Sequence, residues 1–135
     1  MTQLTIPGEP KGKARPVVVK GHAFTPKNTV LYENLIKTEY ERQCEGEFYE
    51  KGVPIGLNVC AFFSIPKSVS MVKRAEMLCG GVRPTKKPDA DNLLKTIADG
   101  LNGIAFYDDA QIVMAHVEKF YSERPRVEVT IRSFE

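Results

Sequence analysis

The sequence predicts an α/β (α+β) fold: a single domain over residues 1–135 in which a mixed β-sheet packs with helices, in the order β-β-α-β-α-α-β-β. Three observations predict it. Leu57, Val59, Ala61 and Phe63 alternate with Asn58, Cys60, Phe62 and Ser64, and residues 126–132 place Val127, Val129 and Ile131 between polar side chains, both with the period of a strand. Residues 90–101 instead carry Leu93, Leu94, Ile97, Ala98 and Leu101 as one helical stripe. A chain of 135 residues with 42% hydrophobic content fits one domain able to bury one core.

Taken in order, residues 2–6 read as a short strand closed by the Pro7-Gly8 turn, and residues 15–24 as an extended stretch bent near Lys20-Gly21. A helix is expected after Thr25, with Thr25 as cap, Pro26 in the first helical position and an apolar face of Tyr32, Leu35, Ile36 and Tyr40. It should end near Gly46. The strand 57–64 is terminated by Pro66, which cannot donate to a sheet ladder. A second helix follows at 68–78. Gly80-Gly81 and Pro84 then mark a loop into the third helix, which Asn102-Gly103 should end. Residues 112–121 and 126–132 read as two strands joined by a turn at 122–125, with Val127, Val129 and Ile131 facing inward. No internal repeat or low-complexity segment interrupts this order.

The net charge is only +2, so any affinity for nucleic acid must come from where the basic residues sit. They are unevenly spread. Residues 1–37 hold six (Lys11, Lys13, Arg15, Lys20, Lys27, Lys37) against Glu9 and Glu33, whereas 39–50 is strongly acidic. Such a basic arm beside an acidic patch suits a DNA backbone on one side only, although ordinary surface variation gives similar blocks. Cys44, Cys60 and Cys79 are too scattered for a disulfide scaffold or a Cys-based metal site. Without a signal pattern or an apolar run near the ~18 residues of a membrane span, the expectation is a soluble, cytoplasmic protein.

Chemistry concentrates in residues 86–109, KKPDADNLLKTIADGLNGIAFYDD, where five aspartates and three lysines fall within 24 residues. Mg²⁺ is usually bound by one or two carboxylates plus water and substrate phosphate oxygens. Asp89 and Asp91, joined in space by Asp109, have that chemistry. Helix capping is the plainer reading, and it accounts for one aspartate, not for the set. Lys95 lies one turn after Asp91 and one turn before Asp99, so it either supports the helix through an ion pair or offsets charge on a reacting phosphate. Asp99 takes the structural reading. Adjacent residues in extended chain point opposite ways, so only one of Asp108 and Asp109 is expected to face the site. His22 and His116 stand alone, and no nucleophilic triad or glycine-rich phosphate loop occurs.

The runs K-P-D-A-D-N-L-L-K (87–95), D-G-L-N-G (99–103) and D-D-A-Q-I (108–112) resemble the signature of RusA-type Holliday junction resolvases, a family common in prophages. P-K-G-K-A-R-P (10–16) and F-T-P-K (24–27) are also similar to phage members, so the resemblance covers most of the chain. It implies a small homodimeric, Mg²⁺-dependent endonuclease, with Mn²⁺ as a substitute ion, that cuts four-way DNA junctions by paired nicks. By motif match its essential acidic residues and metal ligands fall on Asp89, Asp91 and Asp109, and its essential lysine on Lys95. Pro88 stands where some members carry a basic residue, and the spacer to the Asp-Asp pair is one residue shorter than in some relatives. DNA contacts are expected from Lys11, Lys13, Arg15, Lys27, Lys86 and Lys87, and dimer contacts from Phe62, Phe120 and Tyr121. Two other readings compete: a non-catalytic DNA-binding phage protein, and a D-x-D phosphatase or sugar transferase. The second is disfavoured because that phosphatase pattern follows a hydrophobic strand and nucleotide-sugar transferases usually need a larger nucleotide-binding domain.

Overall fold

The alternating segment around residue 60 becomes one of the two inner strands of the main sheet. The computed structural model describes residues 1–13, 17–24 and 26–135. Its elements are β1 (Thr2–Pro7), β2 (Val17–Val19), β3 (His22–Phe24), α1 (Lys27–Cys44), β4 (Ile55–Ser64), α2 (Met71–Leu78), α3 (Ala90–Leu101), β5 (Ile112–Ser122) and β6 (Arg126–Ser133). Four strands form one sheet in the order β1-β6-β4-β5. β4 runs parallel to β5 and antiparallel to β6, which makes the sheet mixed.

Alternation decides which face is buried. Leu57, Val59, Ala61 and Phe63 of β4 share a face with Val127, Val129 and Ile131 of β6 and Leu4 and Ile6 of β1, all nearly excluded from solvent. Ile36 and Tyr40 from α1 and Leu93, Ile97 and Leu101 from α3 complete the same core. Burying each such side chain contributes roughly 1.5–3 kcal/mol, which is what holds two helices on this face.

The two helices meet at Gly100. A Cβ placed there would lie 2.8 Å from Ile36 Cδ1 and 2.9 Å from its Cγ2, so only glycine allows this approach. Gly100→Ala is therefore expected to destabilise the fold by about 1–3 kcal/mol through overpacking. Thermal unfolding should show a melting temperature lower by several degrees; an unchanged value would mean that Ile36 moves aside freely.

Several sequence expectations are corrected in detail. Residues 17–24 form a hairpin, with Val19 paired to His22, rather than one bent strand, and β2 and β3 make a separate two-stranded sheet. The cause lies in the loop, because Lys20 (φ 52°) and Gly21 (φ 78°) are both left-handed, as a tight two-residue hairpin turn requires. Pro26 occupies the N-cap of α1, one place before the expected first helical position, and Thr25 lies outside the described residues. The second helix starts at Met71 rather than 68, since it is the Ser70 side chain that accepts a hydrogen bond from the Lys73 amide. Finally, the strands joined at 123–125 are not neighbours: β4 lies between β5 and β6, so this short turn crosses one intervening strand.

Candidate active site

A proline-containing loop delivers the chain to α3, and the Lys87–Pro88 peptide within it is cis. Asp89 is the N-cap residue of α3, with extended backbone (φ −67°, ψ 156°), yet its side chain makes no capping hydrogen bond. Capping therefore does not account for this aspartate. Its exposed carboxylate lies 3.4 Å from the Lys87 ammonium. Asp91 follows in the first turn, also exposed.

Farther along the same face stand Lys95 and Asp99. The Asp99 carboxylate is largely shielded and holds two ammonium groups, Lys13 Nζ at 2.7 Å and Lys95 Nζ at 3.8 Å. Its structural role is thus to fix lysines, and Lys95, 63% exposed, is held with its charge toward solvent. The segment carrying Lys13 is clamped to α3 by Asn92, whose side chain accepts from the Lys13 amide at 3.0 Å and donates to the Lys13 carbonyl at 3.2 Å. Gly12 makes this contact flush, because a Cβ there would come within 2.4 Å of Asn92 Nδ2 and 2.7 Å of Pro88 Cβ.

The Asp108-Asp109 pair is divided by a short 3₁₀ turn, Asp109–Gln111. Asp108 caps it: its carboxylate accepts from the Ala110 amide while its own amide donates to Gln111 Oε1 at 2.9 Å. Asp109 lies within electrostatic reach of Lys95 and Asp99 on α3. Its carboxyl is held above the usual aspartate range, first by a hydrogen bond shared with Asp108, then by lost hydration and by the negative charges of Asp108 and Asp99, with Lys95 acting in the opposite sense. A bound cation would relieve that crowding of negative charge.

The donor chemistry accordingly suits a hard divalent ion. The geometry is linear rather than caged. Asp91 and Asp99 are eight residues apart, about 12 Å along the helix axis, and of the residues on α3 it is Asp99 and Lys95 whose charges act on Asp109. Among the described residues, no three His, Cys, Asp or Glu side chains converge as a closed metal site would. A Mg²⁺ site needs fewer protein ligands when phosphate and water supply the others.

Other expected contact residues separate into groups. Lys11, Lys27, Lys86 and Lys87 are exposed, Lys13 is engaged by Asp99, and Arg15 lies outside the described residues. Phe62 and Phe120 stack at 5.5 Å between ring centroids on the sheet face opposite α1 and α3, flanked by Arg126 and Arg83, each 3.9 Å over a ring. Tyr121 is not with them; it packs against the core. His116 is exposed and pairs with Glu118.

Sequence reasoning gave Gln111 no role. It is buried, and its Nε2 donates to the carbonyls of Glu50 (2.7 Å) and Val53 (3.0 Å), so one amide ties the Asp108-Asp109 turn to the loop before β4. The only signal was its place in D-D-A-Q-I, since its acceptors are about 60 residues away. Gln111→Ala leaves those groups unpaired at a cost of about 1–3 kcal/mol. It should lower catalytic rate well below the temperature at which the variant unfolds; full activity in a folded variant would make Gln111 a stability residue alone.

A family model for endodeoxyribonuclease RusA matches residues 7–132. The chain is also 37% identical over 136 residues to the uncharacterized protein YqaN of Bacillus subtilis (strain 168), covering 96% of this chain and 94% of that one. It is 30% identical over 97 residues to the crossover junction endodeoxyribonuclease rusA of Lactococcus phage r1t, covering 71% of this chain and 67% of that protein. A small α+β domain with a carboxylate- and lysine-bearing helix is, on these matches, a nuclease. The chain belongs to the RusA endodeoxyribonuclease family. Among the described residues, no helix is long and apolar enough to cross a membrane.

Proposed function

We propose that the protein resolves four-way DNA junctions by paired, Mg²⁺-dependent phosphodiester hydrolysis. The observation that carries this is the polar face of α3: Asp89 is free of capping, Lys95 is held outward by Asp99, and the charges of Lys95 and Asp99 reach the Asp109 carboxyl. Asp89, Asp91 and Asp109 would hold one or two such ions along this face, with water and substrate phosphate completing each shell. When bound, the metal supplies Lewis acidity and a nucleophile at neutral pH. Lys95 then places positive charge where the phosphoryl oxygens become more negative, a contribution that grows toward the transition state.

Lys11, Lys27, Lys86 and Lys87 would hold the duplex arms through phosphates, so affinity should fall steeply with salt. Two symmetric cuts need two sites, which a C₂ homodimer of this chain supplies. The Phe62–Phe120 face is the candidate contact, and Tyr121 is left out of it by its packing against the core. Light scattering should give about twice the 15.1 kDa chain mass.

A labelled synthetic four-way junction, set beside linear duplex with and without Mg²⁺, tests the reading. Cleavage of the junction alone, and only with the ion, is the expected result. Tight junction binding without cleavage at any Mg²⁺ concentration would favour a non-catalytic DNA-binding protein.

A further inference from the structure

We propose that the hollow beside the Asp108-Asp109 turn receives an unstacked nucleobase of the DNA strand being cut, with the Tyr107 ring as stacking surface and Lys51 at its mouth for the adjoining phosphate. This rests on the nuclease reading above and assigns that reaction a specificity pocket.

The hollow has a volume of about 320 Å³ and is lined mainly by apolar atoms, with Tyr107, Val53, Pro54, Val113 and Asp108 among its walls. That volume lies at the small end of ligand pockets, suited to one ring system rather than an extended chain. Tyr107 and Val113 are 55% and 63% exposed, so neither side chain is spent on the core. Both nonetheless line one concave surface. The ammonium of Lys51 stands over the Tyr107 ring, 5.2 Å from its centroid, so a base stacks there on the ring's other face or once Lys51 swings out to the adjoining phosphate. An apolar floor, a flat ring and a cation beside it match a nucleotide, whose base is flat and whose phosphate is anionic.

Position supports the same occupant. Tyr107 is two residues from Asp109, hence at most about 7.6 Å between Cα atoms, so a base stacked there belongs to a nucleotide next to the phosphate at the carboxylates. The walls are also pre-set. Gln111 holds the Glu50 and Val53 carbonyls from inside, and the Tyr49 amide donates to the Ala105 carbonyl at 2.9 Å, which clamps the Lys51 loop to the segment bearing Tyr107. Base stacking on an aromatic ring tolerates every base in part but favours some, so this pocket would set a preference at the cut rather than an absolute requirement.

The test uses the full chain and junctions that carry 2-aminopurine at successive positions around the cut, bound in Ca²⁺, together with a cleavage series in Mg²⁺ in which the nucleotides at the cut are varied. Wild type and Tyr107→Phe should give the same emission at one position, whereas Tyr107→Ala should change it severalfold there and not elsewhere. In cleavage, Tyr107→Ala should lower kcat/KM at the preferred site on the order of tenfold and compress the spread among sites, and Tyr107→Phe should preserve both. Lys51→Ala should weaken binding at all sites alike. Tyr107→Ala with wild-type emission at every position, or with the full spread of site preference, overturns the pocket. A Tyr107→Ala protein that becomes monomeric assigns the hollow to a protein interface and also overturns it. Failure of wild type to cut any junction would instead defeat the nuclease reading, while the Ca²⁺ emission still decides the pocket.

Discussion

Asp89→Asn, Asp91→Asn and Asp109→Asn are each expected to abolish junction cleavage, by on the order of 10²-fold or more, with the fold and junction binding retained. Each exchange removes a carboxylate charge and keeps nearly the same volume on an exposed surface. Stability should not fall, because Asp89 makes no capping bond and Asp109 is crowded by the carboxylates of Asp108 and Asp99. Asp109→Asn removes one member of that repulsive group and should melt at or slightly above the wild-type temperature. Junction binding should hold or tighten as negative charge is lost beside a polyanion. Asp108→Asn is the internal comparison: its capping bond to the Ala110 amide survives in an asparagine, so it should be the milder change. Gel-based single-turnover rates at saturating Mg²⁺ measure all four, and near-normal cleavage by any of the three principal variants removes that residue from the ligand set.

Lys95→Ala should reduce the single-turnover rate on the order of 10²-fold while changing junction affinity little. Its side chain is 63% exposed, and its partner Asp99 keeps Lys13, so removing it leaves no unpaired group inside the protein. On the proposed mechanism, what is lost is a charge beside the scissile phosphate. Salt dependence separates this role from simple DNA holding, since a ground-state phosphate contact lowers the salt slope by about 1 when deleted. The slope for Lys95→Ala should match wild type. Lys95→Arg should recover only part of the rate, because a planar guanidinium cannot occupy the place of a compact ammonium. Normal cleavage with weakened binding and a shallower slope would move Lys95 among the DNA-holding residues.

Elements whose side chains alternate or recur over eight or more residues were legible in the sequence. β4, β6 and α3 fall close to their expected limits because one burial face dictates each pattern. Elements decided by two or three residues were not. The hairpin at 17–24 depends on left-handed backbone at Lys20 as well as Gly21, and a lysine does not advertise that conformation. Nor does local sequence reveal that β4 separates β5 from β6, since pairing is settled by which strands share the core face. The site divides in the same way. Asp89, Asp91 and Lys95 could be placed on one helix by counting, whereas Lys13 reaches Asp99 from 86 residues away and Gln111 reaches Glu50 from 61. Such partners depend on the folded path of the chain, not on local spacing.

Paired incision by a two-site assembly is measured in one reaction on a supercoiled plasmid carrying an extruded cruciform. Two cuts in opposed strands within one encounter convert the plasmid directly to the linear form, whereas a single cut releases the supercoiling that keeps the cruciform extruded and yields a nicked circle. With Mg²⁺ and the wild-type protein, linear DNA should be the main product from the earliest time points and should be absent when the ion is chelated. Accumulation of nicked circles alone, or conversion to linear DNA without a divalent ion, would contradict it.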